Sequence, residues 1–154
     1  MSRAEAGHRG SARVVEGMLL IVLPILFHFA IPLRTVIAEP YSYLGAVPML
    51  LGLALSIWAA RLFRRAGTGL QLQDGGSVLV TSGPYRLSRN PMYLGMLIWL
   101  LGMAVLLGSA IALLFPGDFF LAANFVVIPL EERSMERSWG QQYVEYKEKV
   151  GRWI

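Results

Sequence analysis

The sequence predicts an all-α integral membrane protein with about four transmembrane helices. Hydrophobic residues make up 55% of its 154 residues and only 16% are charged. A soluble core of this size could not bury that much apolar side chain, and a disordered chain would be far more polar. The apolar residues come in long blocks with the basic residues concentrated between them, the pattern of a membrane protein with positive loops. The net charge of +4 therefore indicates an anionic membrane surface, not nucleic acid, as the partner.

The first two spans are predicted at residues 18–37 and 43–63. A hydrocarbon core of about 30 Å needs about 20 helical residues, so the second block spans it comfortably and the first only just. His28 and two prolines interrupt the first block. A histidine at this depth is a functional candidate, although a neutral histidine bonded to a neighbouring helix is the commoner case.

A cleaved signal peptide is the alternative interpretation of the first block, because residues 36–38 (Val-Ile-Ala) resemble a small-residue cleavage site. Glu5 and Glu16 precede the block, where a signal peptide carries positive charge. We therefore expect a retained first span.

The third apolar block, residues 92–130, contains a single charge, Asp118, and is too long for one helix across a bilayer. One division gives a span to residue 115 followed by a loop at 116–118, for three spans in total. The other places a hairpin turn near Gly108 and Ser109, with spans at 92–107 and 110–130 and a kink at Pro116, for four spans in total.

The positive-inside rule favours four spans. In that arrangement thirteen of the 14 lysines and arginines lie on one side, whereas three spans divide them eight against six. We therefore predict a single membrane domain, residues 1–154, in a bacterial or archaeal inner membrane. Both termini, the loop 64–91 and the tail 131–154 are then cytoplasmic, so the loop and the tail can build one site.

The loop contains glycine clusters at 67–69 and 75–76, which lack the spacing of a dinucleotide-binding fingerprint. Asn90 suits a helix N-cap and Pro91 the first helical position, so the third span is predicted to start there. Such a helix N-terminus holds anions well. A plain helix start with snorkelling arginines and interfacial tyrosines is the alternative interpretation.

The tail opens with Glu131 and Glu132 and continues as an amphipathic helix. Its apolar side chains recur at spacings of three and four residues, with a break expected at Gly140. These side chains are Met135, Trp139, Tyr143, Tyr146, Val150 and Trp153. The helix can lie on the membrane surface or close over the loop as a lid.

Two strings resemble the isoprenylcysteine carboxyl methyltransferase and phospholipid methyltransferase superfamily. They are GPYRLSRNPMYLG at residues 83–95 and PLEERSMERSWGQQYVEYKEKVGRWI at residues 129–154. The resemblance implies a membrane enzyme that holds S-adenosylmethionine without a Rossmann domain, between the loop, the cytoplasmic ends of the hairpin helices and the C-terminal segment.

By motif match, the resemblance implies a cofactor site built by the loop and the tail. Its residues are Gly83, Pro84, Tyr85, Arg89, Asn90, Pro91, Tyr93, Glu131, Glu132, Tyr143 and Tyr146. Arg89 and the helix N-terminus suit the cofactor carboxylate, Glu131 or Glu132 suits its ammonium, and aromatic faces suit its sulfonium.

We expect Arg89 and Glu132 to be the catalytic residues, although Arg89 fits the acceptor as well as the cofactor. Methyl transfer requires no metal and no nucleophile from the protein. Many relatives have Arg-His-Pro where this chain has Arg89-Asn90-Pro91, and asparagine cannot titrate near neutral pH. Any proton transfer assigned to that histidine is therefore in doubt here.

The predicted function is S-adenosylmethionine-dependent methyl transfer to a lipid-like or small apolar acceptor at the cytoplasmic membrane face. Prenylated cysteine, phosphatidylethanolamine, a small thiol and an isoprenoid acid all remain open as acceptors. The alternatives are an NADPH-dependent membrane reductase resembling sterol reductases and a non-enzymatic membrane subunit. Two adjacent carboxylates disfavour the reductase, since NADPH presents phosphates.

Overall fold

A computed structural model describes residues 22, 26, 36–66 and 78–154 of the chain. Of these residues 75% are helical and none forms a strand, so the all-α prediction is confirmed for the described part. Most of the predicted first span, His28 and the glycine clusters at 67–69 and 75–76 lie outside the described residues.

The described helices have the following bounds in chain order. A 3-10 turn at Tyr41–Gly45 leads into α1, Ala46–Arg65, and a second at Gly83–Arg86 precedes α2, Pro91–Leu107. Next come α3, Leu114–Ala122, a π-helical turn at Ala123–Val127, α4, Ile128–Trp139, and α5, Gln141–Lys149.

Two helical stretches are long and apolar enough to cross a membrane, Tyr41–Arg65 and Leu114–Trp139, and α2 is a shorter apolar helix. These helices fit an integral membrane protein. The four-span arrangement and the orientation of the chain stay predictions.

Glycine and proline mark the ends of the helices. Gly108, with φ of +63°, ends α2 in the left-handed conformation that commonly terminates helices. Pro116 lies in the first turn of α3, where its missing N–H interrupts no helical hydrogen bond, so the irregularity in this helix is the π-helical turn and not a proline kink. Gly140, with φ of +51°, separates α4 from α5 at the predicted break.

The backbones of α1 and α2 approach closely because glycines face each other. The pairs are Gly52 with Gly95 and, at the other end of the contact, Gly45 with Gly102. A Cβ added at Gly52 would collide with the backbone of α2 at Gly95 and Trp99. The Ser56 hydroxyl also donates a 3.2 Å hydrogen bond to the carbonyl oxygen of Met92.

The buried apolar side chains of the described residues include two groups. One lies between α2 and the α3–α4 stretch and consists of Leu100, Met103, Phe119, Ala123 and Ile128. The other joins α1 to the loop before α2 and consists of Ala59, Phe63, Val80 and Tyr85. Members of both groups line the same cavity.

Candidate functional site

A cavity of about 630 Å³ lies between α2, the α3–α4 stretch, the loop 79–90 and α5. Its apolar part is lined by Met96, Phe119, Ala122 and Ala123. Its polar part lies where α2 begins and α4 follows the π-helical turn, and it contains charged side chains of both signs. The cavity therefore offers an ionic end and an apolar end to one ligand or to two adjoining ligands.

Glu132 is the most constrained charge at the polar end. It is 6% exposed, and its Oε1 lies 2.9 Å from Nη1 of Arg89. Arg152 approaches from outside the cavity, with Nη2 at 2.7 Å from Oε2 and Nε at 3.2 Å from Oε1. One carboxylate thus lies between two guanidinium groups, and the fork of Arg152 holds both of its oxygens.

Glu131 has different surroundings. The Tyr93 hydroxyl donates a 2.9 Å hydrogen bond to Oε1 of Glu131, and both side chains line the cavity. The two adjacent glutamates are therefore not equivalent, because the arginines hold Glu132 and a tyrosine orients Glu131.

Asn90 stands at the N-cap of α2, but its side chain makes no capping hydrogen bond. Its Nδ2 instead donates a 3.0 Å hydrogen bond to the carbonyl oxygen of Arg152, and its N–H donates to the Ser88 hydroxyl at 3.0 Å. The expectation of a side-chain cap is wrong, because a contact with the distant C-terminal segment uses the amide.

Three tyrosines form the side of the cavity nearest the tail. The Tyr146 hydroxyl donates a 2.6 Å hydrogen bond to the carbonyl oxygen of Tyr85, which joins α5 to the 3-10 turn. Burial raises the pKa of the Tyr85 and Tyr146 side chains. Burial and the charge of Glu132 raise the pKa of Tyr143 to about 12, whereas Arg89 opposes this shift. All three are therefore neutral at physiological pH.

Nine of the eleven residues in the predicted cofactor set line this one cavity, although they come from both ends of the sequence. They are Tyr85, Arg89, Asn90, Pro91, Tyr93, Glu131, Glu132, Tyr143 and Tyr146. Gly83 and Pro84 do not line it. Gly83 has φ of +60° and Pro84 is buried, so both shape the turn that carries Tyr85. Whether these residues bind a cofactor stays a prediction.

Sequence reasoning missed several residues around the site. Arg152 holds Glu132, and Asn124 in the π-helical turn accepts hydrogen bonds from Arg152 and Trp153. Asp118 lines the cavity in spite of its place in an apolar helix. A single charge within a long apolar block is itself an indication of a functional position, so Asp118 could have been identified from the sequence. Nothing local in the sequence distinguishes Arg152 from the other cations of the tail.

Two buried donors beside the cavity have no hydrogen-bond partner within the described residues. They are the hydroxyl of Tyr85 and Nε of Arg89. Native proteins satisfy almost all buried polar groups, so these atoms indicate where a bound polar group would be stabilised. No three His, Asp or Glu side chains in the described part of the chain are arranged to hold a metal ion.

Comparison with known proteins gives the family. A family model described as phospholipid methyltransferase matches residues 40–142. Protein-S-isoprenylcysteine O-methyltransferase B of Arabidopsis thaliana is 43% identical over 75 residues, which cover 47% of this chain and 36% of that protein. A probable protein-S-isoprenylcysteine O-methyltransferase of Oryza sativa subsp. indica is 33% identical over 115 residues, 71% of this chain and 58% of the rice protein.

The match extends beyond plants. Protein-S-isoprenylcysteine O-methyltransferase of Saccharomyces cerevisiae is 35% identical over 81 residues, 51% of this chain and 33% of the yeast protein. The chain thus spans between about a third and three fifths of the length of these relatives. No solved structure matches. The family match covers well over half of the chain and includes the loop, α2 and the paired glutamates, so the chain belongs to the phospholipid methyltransferase family, in the superfamily of the isoprenylcysteine carboxyl methyltransferases.

Proposed function

We propose that this protein is an S-adenosylmethionine-dependent methyltransferase that modifies a lipid-like or small apolar acceptor at the cytoplasmic face of a membrane. The observation that carries the proposal is the two-part cavity. Charged groups of both signs meet at one end, and Met96, Phe119, Ala122 and Ala123 line the other.

The polar end fits the amino-acid part of S-adenosylmethionine. Arg89 offers positive charge to its carboxylate. The backbone N–H groups that follow Pro91 in the first turn of α2 offer hydrogen bonds to the same group. Glu131, oriented by Tyr93, offers a carboxylate to its ammonium. Glu132 is less suited to the ammonium because two arginines already hold its oxygens.

The remaining donors and aromatic rings are consistent with the rest of the cofactor. The buried Tyr85 hydroxyl would gain a partner from a polar group in the cavity. Aromatic faces at the cavity attract a sulfonium by cation–π interaction, and Tyr93, Tyr143 and Tyr146 supply them.

S-adenosylmethionine would supply an electrophilic methyl group: a nucleophilic atom of the acceptor would bond to the methyl carbon in line as the carbon–sulfur bond breaks, with S-adenosylhomocysteine as the leaving group. The contribution of this chain is to align the two reactants and exclude water. The contact between Tyr146 and Tyr85 closes one side of the cavity, and the ion pair of Arg89 with Glu132 fixes its polar end.

The apolar end suits an acceptor that arrives from the bilayer. Ala122 and Val127 line the cavity and are also exposed on the outer surface of the long apolar stretch Leu114–Trp139. In a membrane that surface contacts lipid, so the acceptor's apolar part can enter sideways while its reactive group reaches the polar end. The acceptors in the names of the relatives, isoprenylcysteine and phospholipid, share this amphipathic chemistry.

The charge balance disfavours the reductase alternative. Arg89 is the single basic side chain among the described residues that line the cavity, whereas Asp118, Glu131 and Glu132 are acidic. NADPH presents several phosphate charges, which this set of side chains would repel.

The deciding experiment is equilibrium binding to the detergent-purified protein. S-adenosylmethionine, S-adenosylhomocysteine and NADPH are titrated into the wild type, Arg89→Ala and Arg86→Ala. Arg86 is the matched control, since it is exposed, lies three residues earlier and does not line the cavity.

We expect saturable binding of both adenosyl ligands to the wild type and to Arg86→Ala. Arg89→Ala should weaken that binding by at least about tenfold, the usual loss when a charge-assisted hydrogen bond is removed. Binding of NADPH alone would identify a reductase. A folded protein that binds none of the three would leave the non-enzymatic subunit as the better hypothesis.

A further inference from the structure

The last residues of the chain connect separate parts of the site. We call residues 151–153 the C-terminal strap. The Arg89 N–H donates a 3.0 Å hydrogen bond to the carbonyl oxygen of Gly151. The carbonyl oxygen of Arg152 accepts hydrogen bonds from the Asn90 amide at 3.0 Å and from the Ser88 hydroxyl at 3.3 Å. The strap therefore fixes the loop that carries Arg89.

The strap is also attached to the π-helical turn. Nη1 of Arg152 donates to the backbone and side-chain oxygens of Asn124 at 3.2 and 3.3 Å, and the indole N–H of Trp153 donates to the Asn124 side chain at 3.1 Å. The Trp153 ring packs on Phe120 with centroids 5.2 Å apart. Both ends of the Arg152 side chain are thus held in place, and the guanidinium is aimed at Glu132.

The position of Arg152 determines the charge at the cavity. Arg152 does not itself line the cavity, whereas Glu132 and Arg89 do. Nη2 and Nε of Arg152 donate to the two oxygens of Glu132 at 2.7 and 3.2 Å. The carboxylate that contacts Arg89 is therefore also paired with a cation outside the cavity. The nearby carboxylate of Glu136 is paired with Lys147 at 2.6 Å. Arg89 therefore shares its carboxylate partner with a second guanidinium, and its buried Nε has no hydrogen-bond partner within the described residues.

We propose that Arg152 is a positioning residue of the cofactor site: by occupying Glu132 it keeps Arg89 available to an anionic group in the cavity. The anion is the carboxylate at the amino-acid end of the adenosyl cofactor, so this inference rests on the proposed function. Without Arg152, Glu132 would neutralise Arg89 alone, and its negative potential would repel the incoming carboxylate.

Two probes separate this role from a general structural one. S-adenosylhomocysteine contains the carboxylate, whereas 5′-methylthioadenosine has the same nucleoside and sulfur but no amino-acid part. The dissociation constants of both are measured by calorimetry for the full chain in detergent, in the wild type and in Arg152→Gln. The informative quantity is the ratio of the two constants.

In Arg152→Gln we expect the dissociation constant of S-adenosylhomocysteine to rise about tenfold and that of 5′-methylthioadenosine to change less than about twofold, because only the first ligand carries the charge. A ratio that stays at its wild-type value, whether both constants rise together or neither changes, would overturn the proposal. So would a wild type that binds both ligands equally well.

Two further variants keep the test decisive. Arg137→Gln removes the same charge from an exposed tail position that does not line the cavity, so it should leave the ratio at the wild-type value. Arg152→Lys retains the charge and should keep the ratio within about threefold of wild type even if Arg152→Gln fails to fold. A shift of the ratio in Arg137→Gln, or its complete loss in Arg152→Lys, contradicts a role through the pairing of Arg152 with Glu132. Binding of neither probe by the wild type refutes the proposed function itself, which distinguishes that failure from the others.

Discussion

The hydroxyl of Tyr146 donates a 2.6 Å hydrogen bond to the backbone carbonyl oxygen of Tyr85, 61 residues earlier in the chain. Both residues are buried and both line the cavity. The bond joins the C-terminal helix α5 to the turn that precedes α2, so the two segments that carry the family motifs are held together directly.

Tyr146→Phe should destabilise the protein without changing the shape of the ring. Loss of a buried hydrogen bond, with an acceptor left unsatisfied, costs about 1–3 kcal/mol. We expect a lower apparent melting temperature in detergent and weaker binding of S-adenosylhomocysteine. Tyr41→Phe is the control, because Tyr41 is 69% exposed and its change should be close to neutral. Equal stability of the two variants would contradict this role of the bond.

Glu131→Gln and Glu132→Gln should have different effects, although the residues are adjacent. If Glu131 holds the cofactor ammonium, Glu131→Gln raises the dissociation constant of S-adenosylhomocysteine about tenfold and leaves that of 5′-methylthioadenosine nearly unchanged. Both constants are measured by calorimetry.

Glu132→Gln removes the counter-ion of two arginines. Leaving the buried guanidinium of Arg89 without its partner costs about 3–5 kcal/mol, so the melting temperature should fall. Preference for the carboxylate-containing ligand should persist, because Arg89 keeps its charge. The opposite pattern, with loss of that preference in Glu132→Gln alone, would assign the ammonium to Glu132.

The ends of the helices could be predicted because local residues determine them. Pro91 can begin a helix, and Gly108 and Gly140 adopt positive φ where helices end. The capping role of Asn90 could not be predicted correctly. A short-range rule assigns its side chain to the helix, whereas the structure gives the amide to the carbonyl oxygen of Arg152, 62 residues away.

The electrostatics of the site depend on such distant contacts. In sequence Glu131 and Glu132 look interchangeable, and their difference arises because Arg152 returns to one of them and Tyr93 contacts the other. The motif resemblance predicted that the loop and the tail lie at one site, and residues of both line the cavity. It contained no information about which carboxylate oxygen contacts which cation. That information requires the path of the chain after Gly140.

Ionisation of Tyr143 should destabilise the fold at high pH. Its pKa is raised to about 12 from an ordinary value near 10 by burial and by the charge of Glu132. The neutral hydroxyl therefore contributes stability that is complete below pH 10 and is lost as the pH rises from about 10 to 12. Melting temperatures across this range should fall less steeply for Tyr143→Phe than for the wild type. Parallel curves would contradict the assignment.

Gly52→Ala should weaken the packing of α1 against α2. A Cβ at this position meets the backbone of Gly95 and Trp99, which cannot move aside as a flexible side chain could. Overpacking costs about 1–3 kcal/mol, which exceeds the gain of up to about 1 kcal/mol when alanine replaces glycine in a helix. We therefore expect a lower melting temperature, and weaker S-adenosylhomocysteine binding because α2 carries Pro91 and Tyr93.

Gly117→Ala is the matched control for this substitution. Gly117 also lies within a helix, α3, but nothing lies within 4 Å of a Cβ added there. The helix-propensity gain then acts alone, so Gly117→Ala should match or exceed the stability of the wild type. If Gly52→Ala were as stable as Gly117→Ala, the two backbones could not be in the close contact described, and α2 would have to be positioned by the loop and the C-terminal strap instead.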